Sequence, residues 1–404
     1  MEKTILREFD IAKRISNRDY YENTIIRYIY AHGKATKKTF ADLLGISIPS
    51  VSHIINDLEK NGLLICQTSN EPSWGRSSGF YMINPDKSLI IGCLISPHSV
   101  EIALFNSAGE IINKYDKKFN FISSHETLLK HIKNAINIVM QDQDEEKLVA
   151  INVGCHGVID IEKGESVFMP HKAKWTPFSI RYQLASRYHV PVYVENDCNI
   201  FALSEKWVGS ASQYKDFFVI NLDYGVGAGI IINNYIYHGT SIFSGQVGHT
   251  PVTEYGIKCQ CGNYGCLETL ASEPALLNLL KSRLKKGYIS DYFKDFDINA
   301  IEPDDFYAAI YKHDPVALRV IEDAAIHISY SIRNMIYFIA PEAIILTGSL
   351  TQAGEYLLNP IENAIISPFG IHTDTKVQIT NLNRNDYIKG TFYLWVEYEF
   401  KTRR

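Results

Sequence analysis

Three cysteines and one histidine form the densest group of metal-ligating residues in the sequence. Cys259, Cys261 and Cys266 follow a C-x-C-x4-C spacing, and His249 lies ten residues before the first of them. Thiolates at this spacing converge only if the chain turns back tightly, and two glycines inside the run permit that turn. Three sulfurs and one imidazole make the closed tetrahedral set that structural Zn²⁺ favours. The alternative is three buried thiols and an unrelated histidine, but buried cysteines usually occur singly. The spacing therefore predicts a structural zinc site.

A carboxylate beside this cluster indicates a second kind of chemistry. A histidine that gives one ring nitrogen to zinc still has the other available for a hydrogen bond. Glu268 lies two residues beyond Cys266 and opens a segment whose apolar spacing predicts a helix. An imidazole next to a carboxylate suits sugar hydroxyls, which need both donors and acceptors. Glu268 could instead be only a first-turn charge that the helix dipole favours.

Length and composition are those of an ordinary water-soluble protein. The 404 residues suffice for two or three domains, the net charge is −5, and no apolar run approaches the length of a membrane span. The first ten residues lack the apolar region of a secretory signal. Four further cysteines are scattered singly, which favours a reducing compartment over a disulfide framework. We expect a cytoplasmic protein without membrane contact.

The charge is distributed unevenly along the chain. Residues 1–80 contain 11 Lys and Arg against 9 Asp and Glu, whereas the remainder contains 29 against 36. A slightly basic head on an acidic body is typical of a nucleic-acid-binding module joined to a different kind of domain. Two charges are weak support, so the helix pattern of the head has to carry this prediction.

The segment from Tyr21 to Leu64 predicts three short helices with tight connections. The first ends at Gly33, the second ends at Gly45, and the third begins after Ser47 as its N-cap. The predicted inward residues of the three helices are, in order, Ile25, Ile26 and Ile29; Phe40, Leu43 and Leu44; Val51, Ile54 or Ile55, and Leu58. This is the helix-turn-helix arrangement, whose second helix enters the major groove of DNA.

Polar residues on the last of these helices are the candidate DNA contacts. Ser50, Ser52 and His53 lie on its outward, N-terminal side and can reach phosphates or base edges. Two strand-like runs follow and predict a β-hairpin wing, with Arg76 near its tip as a phosphate or minor-groove contact. The alternative is a small helical bundle that contacts other proteins.

The pattern changes after residue 88 to short apolar runs that predict strands. Three strands, a helix and a buried strand are predicted up to residue 154, and the same order recurs after residue 216. The helix of the first set is expected to start at the N-cap Ser123, with Glu126 three residues on. Two similar α/β lobes with a cleft between them form the actin-like, or hexokinase-like, architecture, which commonly holds a sugar and a nucleotide. We predict a winged head at residues 1–84, a first lobe at 85–197, and a second lobe at 198–404 with the zinc loop and a C-terminal helix.

Four motifs together resemble one known family. They are the C-Q-C-G-N-Y-G-C-L-E run at 259–268 with its upstream G-H, V-E-N-D at 194–197, D-Y-G-V-G-A-G at 223–229 and I-L-T-G-S-L at 345–350. This set resembles the ROK family of repressors, open reading frames and sugar kinases. With the winged head in front, the chain resembles the transcriptional repressors of that family over nearly its whole length.

The resemblance implies roles for individual residues. It implies zinc ligation by His249 and the three clustered cysteines, and sugar contacts from Asn196, Asp197, His249 and Glu268. In the family's kinases the aspartate of E-N-D takes the proton from the attacking sugar hydroxyl, and Asp197 matches it. Gln246 stands where those kinases usually have a sugar-binding glutamate, and its amide still hydrogen-bonds hydroxyls. Asn196 and Asp197 could instead only cap the following helix.

Departures from the family pattern favour a regulator over a kinase. The kinases begin the first lobe with an aspartate and a G-G-T turn, and residues 91–104 lack both. In the second phosphate loop, Asp223 and Tyr224 stand where the kinases have glycine and threonine. A carboxylate about 4 Å from a phosphate charge costs about 4 kcal/mol at an effective dielectric constant near 20. We therefore expect no kinase activity.

The resulting prediction is a sugar-responsive repressor. A homodimer or homotetramer would bind a palindromic double-stranded DNA operator, and a sugar between the lobes would change its DNA affinity. Two alternatives remain: a DNA-binding sugar kinase, and a regulator that docks a sugar-transport protein. In the second alternative the aromatic-rich segment at 387–400 would be the docking surface, and otherwise it is core or dimer packing.

Overall fold

The computed structural model describes residues 16–67, 79–119, 124–170, 175–365 and 374–402. Its first elements are three helices. They are α1 (Asn17–His32), α2 (Lys37–Leu44) and α3 (Ile48–Lys60). Ser47 caps α3, because its side chain accepts a hydrogen bond from the backbone N–H of Ser50. Gly45 ends α2 in the left-handed conformation with φ of 64°. The predicted helix-turn-helix is confirmed.

The head has its own apolar core, with one correction to the predicted residues. Leu43 was expected to face inward, but it is 44% exposed. Helix α2 instead buries a stripe centred on Phe40 and Ala41, with Leu44 half-buried beside them. The other helices bury the residues that their apolar spacing predicts: Ile25, Ile26, Ile29, Val51, Ile55 and Leu58.

A two-stranded wing follows α3. Strands β1 (Leu64–Gln67) and β2 (Phe80–Ile83) pair antiparallel, with Leu64 opposite Ile83. The connection between them, including Arg76, lies outside the described residues.

The first lobe is built on a five-stranded sheet with the order β10-β6-β3-β4-β5. Its strands are β3 (Leu89–Ile95), β4 (Ser99–Asn106), β5 (Ile111–Lys118), β6 (Leu148–Cys155) and β10 (Val192–Asn196). A small sheet lies between β6 and β10 in sequence and comprises β7 (Val158–Asp160), β8 (Glu165–Phe168) and β9 (Phe178–Ser179). The first three strands of the large sheet run antiparallel, and β6 and β10 are parallel to β3 and β6 respectively.

Two helices connect these strands. They are α4 (His125–Val139) and α5 (Ile180–Tyr188). The N-cap of α4 is Ser124, whose side chain accepts from the N–H of Thr127, and not the predicted Ser123, which lies outside the described residues. The apolar face of α4 is buried as its periodicity predicts.

The second lobe repeats the same topology. Its sheet has the order β13-β12-β11-β14-β15 and comprises β11 (Phe217–Leu222), β12 (Val226–Ile232), β13 (Tyr235–Ile236), β14 (Ala343–Thr347) and β15 (Lys376–Ile379). Again the first three strands are antiparallel, β14 pairs parallel with β11, and β15 pairs parallel with β14. Since two lobes have one strand order, the two-lobed architecture predicted from the recurring pattern is confirmed.

Seven helices complete the description of the main elements. They are α6 (Asp197–Trp207), α7 (Glu268–Ala271), α8 (Glu273–Lys285), α9 (Pro303–Tyr311), α10 (Pro315–Ile339), α11 (Glu355–Ile365) and α12 (Lys389–Glu399). Over the described ranges, none of the helices combines the length and the apolar character that crossing a membrane requires.

The last helix returns to the first lobe. Helix α12 packs against β3, β6 and α6, and a Cβ atom at Gly92 of β3 would collide with Thr391 of α12. The aromatic residues around α12 are largely core residues shared by the head, the first lobe and the C terminus, including Tyr387, Phe392, Trp395 and Phe400. This packing favours the core interpretation of the segment over a docking surface. The domain boundaries at residues 84 and 197 stay predictions.

Candidate functional site

The histidine and three cysteines converge in residues 246–268, a segment that we call the zinc loop after the metal that its sequence predicts. The potential ligand atoms of His249, Cys259, Cys261 and Cys266 all lie within 4.8 Å of one another. Cys259 Sγ is 3.5 Å from His249 Nδ1, and Cys261 Sγ is 3.6 Å from Cys266 Sγ. Zinc–sulfur and zinc–nitrogen bonds of about 2.3 and 2.0 Å in a tetrahedron imply ligand separations of about 3.5–3.8 Å. The cluster therefore fits a tetrahedral metal ion, which His249 would bind through Nδ1, leaving Nε2 for another partner.

Backbone turns bring these ligands together. Gly262 and Gly265 have φ values of 98° and 68°, and a Cβ at Gly265 would collide with the carbonyl oxygen of Thr253. The backbone N–H of Cys259 donates to the carbonyl of Asn263 at 2.8 Å, which closes the turn between the first two cysteines and the third. The two glycines are therefore required by the backbone conformation that the cysteine spacing implied.

The thiols must lose protons when a metal binds. Burial raises the pKa of Cys266 to about 12 and also raises the pKa of Cys259 above its ordinary value. Both remain thiols near neutral pH in the absence of a metal, whereas the metal ligand is the thiolate. Metal binding at this cluster is therefore coupled to proton release.

The five predicted ligand-binding residues line one small cavity. Asn196, Asp197, Gln246, His249 and Glu268 all contribute to its wall, as do Gly157 and Phe168 from the first lobe. Its volume is about 30 Å³, far below the roughly 300–1,000 Å³ of typical small-molecule sites. A sugar therefore does not fit within this cavity alone.

Asn196 and Asp197 also stabilise the start of α6, which is the structural role that the alternative interpretation gave them. The Asn196 side chain caps α6 by accepting from the N–H of Cys198 at 2.9 Å, and its amide donates to the carbonyl of Gly157 at 2.9 Å. Asp197 is buried, with 7% of its side chain exposed. One Asp197 oxygen accepts from the N–H of Cys198, and the other faces a histidine.

That histidine, His156, is the site residue that the sequence motifs missed. Its Nδ1 lies 2.9 Å from Asp197 Oδ2, and its Nε2 is buried without a hydrogen-bond partner among the described residues. Burial by itself would lower the pKa of His156. The charge of Asp197 and the hydrogen bond to it, together with Glu268 and Asp223, raise that pKa above its ordinary value. His156 directly follows strand β6, the kind of position at which open α/β sheets bind ligands, and this is the one sequence signal that could have identified it.

A larger cavity of about 370 Å³ continues from the small one. His156, Asp197, Asn221 and Gly225 line both cavities. The larger cavity lies between the β3–β4 turn at 96–99 and the β11–β12 turn at 223–225, the two places where the family resemblance puts phosphate loops. The rings of His98 and Tyr224 meet edge to face, with centroids 4.6 Å apart, so a contact joins these two turns across the cleft.

A second histidine–carboxylate pair joins the lobes. Glu195 of β10 is fully buried, and its Oε2 lies 2.7 Å from Nε2 of His238, which follows β13 in the second lobe. Its other oxygen accepts from the Asn199 side chain and from the backbone N–H of Asn196. Burial would lower the pKa of His238, but the charge of Glu195 raises it above the ordinary value.

The predicted DNA-contacting residues of α3 lie on one accessible side of the head. Ser50 and His53 are exposed, while Ser52 is half-buried. The Ser50 hydroxyl is 2.9 Å from the hydroxyl of Ser47, so it shares the N-cap hydrogen bonding. Asn56 is also exposed one turn beyond His53, and an amide there has the donor and acceptor needed to read an adenine edge.

Comparisons with known proteins agree with this two-part architecture. A family model described as the ROK family matches residues 91–397, and a model described as winged helix-turn-helix DNA-binding matches residues 18–65. The uncharacterized protein YphH of Escherichia coli K12 is 30% identical over 390 residues, covering 95% of this chain and 97% of that protein. The xylose repressor of Caldicellulosiruptor bescii is 27% identical over 343 residues, covering 84% of this chain and 86% of that protein.

Enzymes and solved structures are also among the similar proteins. The glucokinase of Halalkalibacterium halodurans is 30% identical over 278 residues, covering 67% of this chain and 83% of the enzyme. The crystal structure of a ROK family transcriptional regulator, a homolog of the E. coli MLC protein, superposes with a TM-score of 0.80 and 23% identity. It covers 95% of this chain and 96% of that one, and at this identity it supports the fold alone.

Proposed function

This chain belongs to the ROK family, and from that premise we propose that it is a sugar-responsive transcriptional regulator. The winged helix-turn-helix head supplies DNA binding, and the two-lobed body supplies a cleft for a sugar effector. Relatives named as repressors, including the xylose repressor, are similar over more than four fifths of this chain. The single observation that carries the proposal is a direct connection between the cleft and the head.

Helix α6 is that connection. Its N-terminal end holds Asn196 and Asp197 in the wall of the small cavity. Its C-terminal end carries Lys206 and Trp207, whose side chains both contact Glu397 of α12 at 2.8 and 3.3 Å. A helix of 11 residues spans about 16 Å, so one rigid element reaches from the ligand residues to the base of the head.

Glu397 completes the connection to the head. Its two oxygens accept from the guanidinium of Arg27 on α1 at 2.9 and 3.1 Å. That guanidinium also lies 5.2 Å from the centre of the Trp207 ring. Burial opposes ionisation of Glu397, but the charges of Lys206 and Arg27 lower its pKa below the ordinary value. We call this group of Arg27, Lys206, Trp207 and Glu397 the relay cluster.

The cleft and the relay cluster together give a mechanism for the response. A sugar that contacts all five ligand-binding residues needs more space than the small cavity offers, and an expansion of that cavity displaces the N-terminal end of α6 or the loop that faces it. A displacement of α6 changes the contacts of Glu397 with α1 and so the orientation of the head. The sugar shifts the population between two head positions according to its different affinity for them.

We also propose that the metal of the zinc loop is Zn²⁺ and that its role is structural. Three sulfurs and one nitrogen would fill all four tetrahedral positions, which is typical of structural zinc and would leave no position for a reacting water. Ligation through Nδ1 leaves Nε2 of His249 beside the small cavity. The metal would hold this imidazole and the loop leading to Glu268 in place.

We infer that sugar phosphorylation is not the activity of this chain, although a glucokinase is among its relatives. Asp197, the counterpart of the family's catalytic base, is paired with His156. Asp223 places a carboxylate in the turn that would face a polyphosphate, and the His98–Tyr224 contact bridges the two phosphate-loop turns. The carboxylate and the bridging contact both oppose binding of ATP.

Binding to upstream DNA tests the regulator directly. We expect fluorescence anisotropy to show a specific complex with a fragment from upstream of the chain's own gene, and weaker binding to a scrambled fragment at the same salt concentration. A panel of xylose, glucose and N-acetylglucosamine is then titrated into the complex, and an effector should change the DNA affinity by about 5- to 150-fold. Folded protein that does not discriminate between the two fragments would contradict the proposal. Two heads have to face two half-sites, so we propose a homodimer or homotetramer, which light scattering measures.

A further inference from the structure

We propose that His156 determines the class of ligand that the cleft accepts: an uncharged sugar, and not a phosphorylated or acidic one. This inference rests on the proposed function and specifies the effector of the same cleft. Its basis is the place of His156 at the junction of the two cavities, together with the charges that surround it.

One ring nitrogen of His156 is hydrogen-bonded, and the other has no hydrogen-bond partner among the described residues. Nδ1 is 2.9 Å from Asp197 Oδ2 and donates its proton to that carboxylate. Nε2 is buried and has no hydrogen-bond partner within the described parts of the chain. A buried polar atom without a partner is costly, and a ligand that supplies the missing hydrogen bond is favoured for that reason.

A sugar hydroxyl can supply this hydrogen bond whatever the charge of the imidazole. It accepts from Nε2 when the ring is protonated and donates to Nε2 when the ring is neutral. Glu268 offers a second partner nearby: a Cβ at Gly225 would lie 3.1 Å from Glu268 Oε2 and 3.3 Å from His156 Cε1. One hydroxyl at His156 and another at Glu268 match the donor and acceptor pattern of a polyol.

The charges around this position disfavour anions. Asp197 and Glu268 line the small cavity, and Asp223 lines the larger one. The imidazolium of His156 offsets one of these three carboxylates, and a zinc ion with three thiolate ligands adds no positive charge. Arg384 lines only the larger cavity. A phosphate or carboxylate group on the ligand therefore meets net negative charge where an uncharged hydroxyl meets hydrogen-bond partners.

Calorimetric titration of the full-length, zinc-loaded protein compares sugars that differ in one charged group. The probes are glucose, xylose and N-acetylglucosamine, the 6-phosphates of glucose and N-acetylglucosamine, and glucuronate. We expect at least one uncharged sugar to bind, and its phosphorylated or acidic counterpart to bind at least tenfold more weakly. Tighter binding of a sugar phosphate or of glucuronate would overturn the inference, as would failure of every uncharged sugar to bind. Neither result depends on how well a variant folds.

Substitution of His156 tests the assignment to this residue. His156→Gln keeps an N–H donor for Asp197 but loses the ring, and we expect it to weaken binding of the uncharged sugar at least tenfold with unchanged zinc content. His131→Gln is the matched control, because this histidine lies on α4 against Phe119, away from both cavities. Equal sugar affinity of His156→Gln and the wild type would refute the role of His156.

The failure of this inference and the failure of the regulator proposal give different results. A protein that binds its operator and responds to a sugar phosphate retains the proposed function and loses the inference. A protein that binds an uncharged sugar in preference to its phosphate but forms no specific DNA complex retains the inference and loses the proposed function.

Discussion

Replacing Glu397 by glutamine should separate ligand binding from DNA binding. The substitution preserves the shape of the side chain but removes the charge that Arg27 and Lys206 share. Those three side chains are between 10% and 13% exposed, so solvent does little to compensate. Glu399→Gln is the matched control, because Glu399 is on the same helix and is exposed.

The size of the effect follows from the burial of the relay cluster. Removing one partner of a buried ion pair costs about 3–5 kcal/mol, because the remaining charge is left without compensation. Burial already lowers the pKa of Lys206 while Glu397 is present, so in the variant this lysine can lose its proton more readily. The glutamine oxygen also keeps one hydrogen-bond acceptor. We therefore expect a loss near the lower limit, about 3 kcal/mol, in the free energy of unfolding.

Three measurements check this prediction. Urea unfolding should show the loss of stability in Glu397→Gln and little change in Glu399→Gln. Calorimetry should show that Glu397→Gln still binds the sugar. Anisotropy with operator DNA should show that the sugar no longer changes the DNA affinity of this variant. The reasoning is refuted if the variant keeps the wild-type response to sugar, because the head would then be controlled through contacts other than those of Glu397.

Three further predictions concern the metal, the chemistry and the pH dependence. Cys261→Ser should lower the zinc content measured by atomic emission from about one ion per chain to a small fraction, and the sugar response should be lost. An unchanged zinc content would contradict the assigned ligands. A coupled assay of ADP release with ATP and the sugar panel should detect no sugar-dependent turnover. Turnover at ordinary enzymatic rates would establish the kinase alternative if Asp197→Asn abolished it. The pKa of His238 is raised in the folded state, so its pair with Glu195 stabilises the fold when the histidine is protonated. This stability is fully present below the unfolded-state pKa of about 6.5, and it is lost as the pH rises through the folded-state pKa. Unfolding midpoints between pH 6 and 8 should therefore fall less steeply for His238→Gln than for the wild type.

Features that depend on neighbouring residues were predictable from the sequence. The Ser47 N-cap, the inward residues of α1 and α3, and the turn glycines of the zinc loop all follow from helix periodicity and from conformations that few residues adopt. The metal cluster belongs to this group because its four ligands lie within 18 residues of the chain. The two errors are small and local: Leu43 is exposed, and α4 is capped by Ser124. Both errors arise because the sequence pattern hardly distinguishes neighbouring residues as the buried residue or the N-cap of a helix.

Contacts between distant segments were decided by the tertiary structure. His156 pairs with Asp197 across 41 residues, and Arg27 pairs with Glu397 across 370. The return of α12 to the first lobe, which places Glu397 beside the head, has no counterpart in any local pattern. Periodicity and motif spacing record which residues share a face or a turn. Which faces then meet depends on strand order and on the packing of the two lobes, and this packing alone brings one buried imidazole to the junction of both cavities.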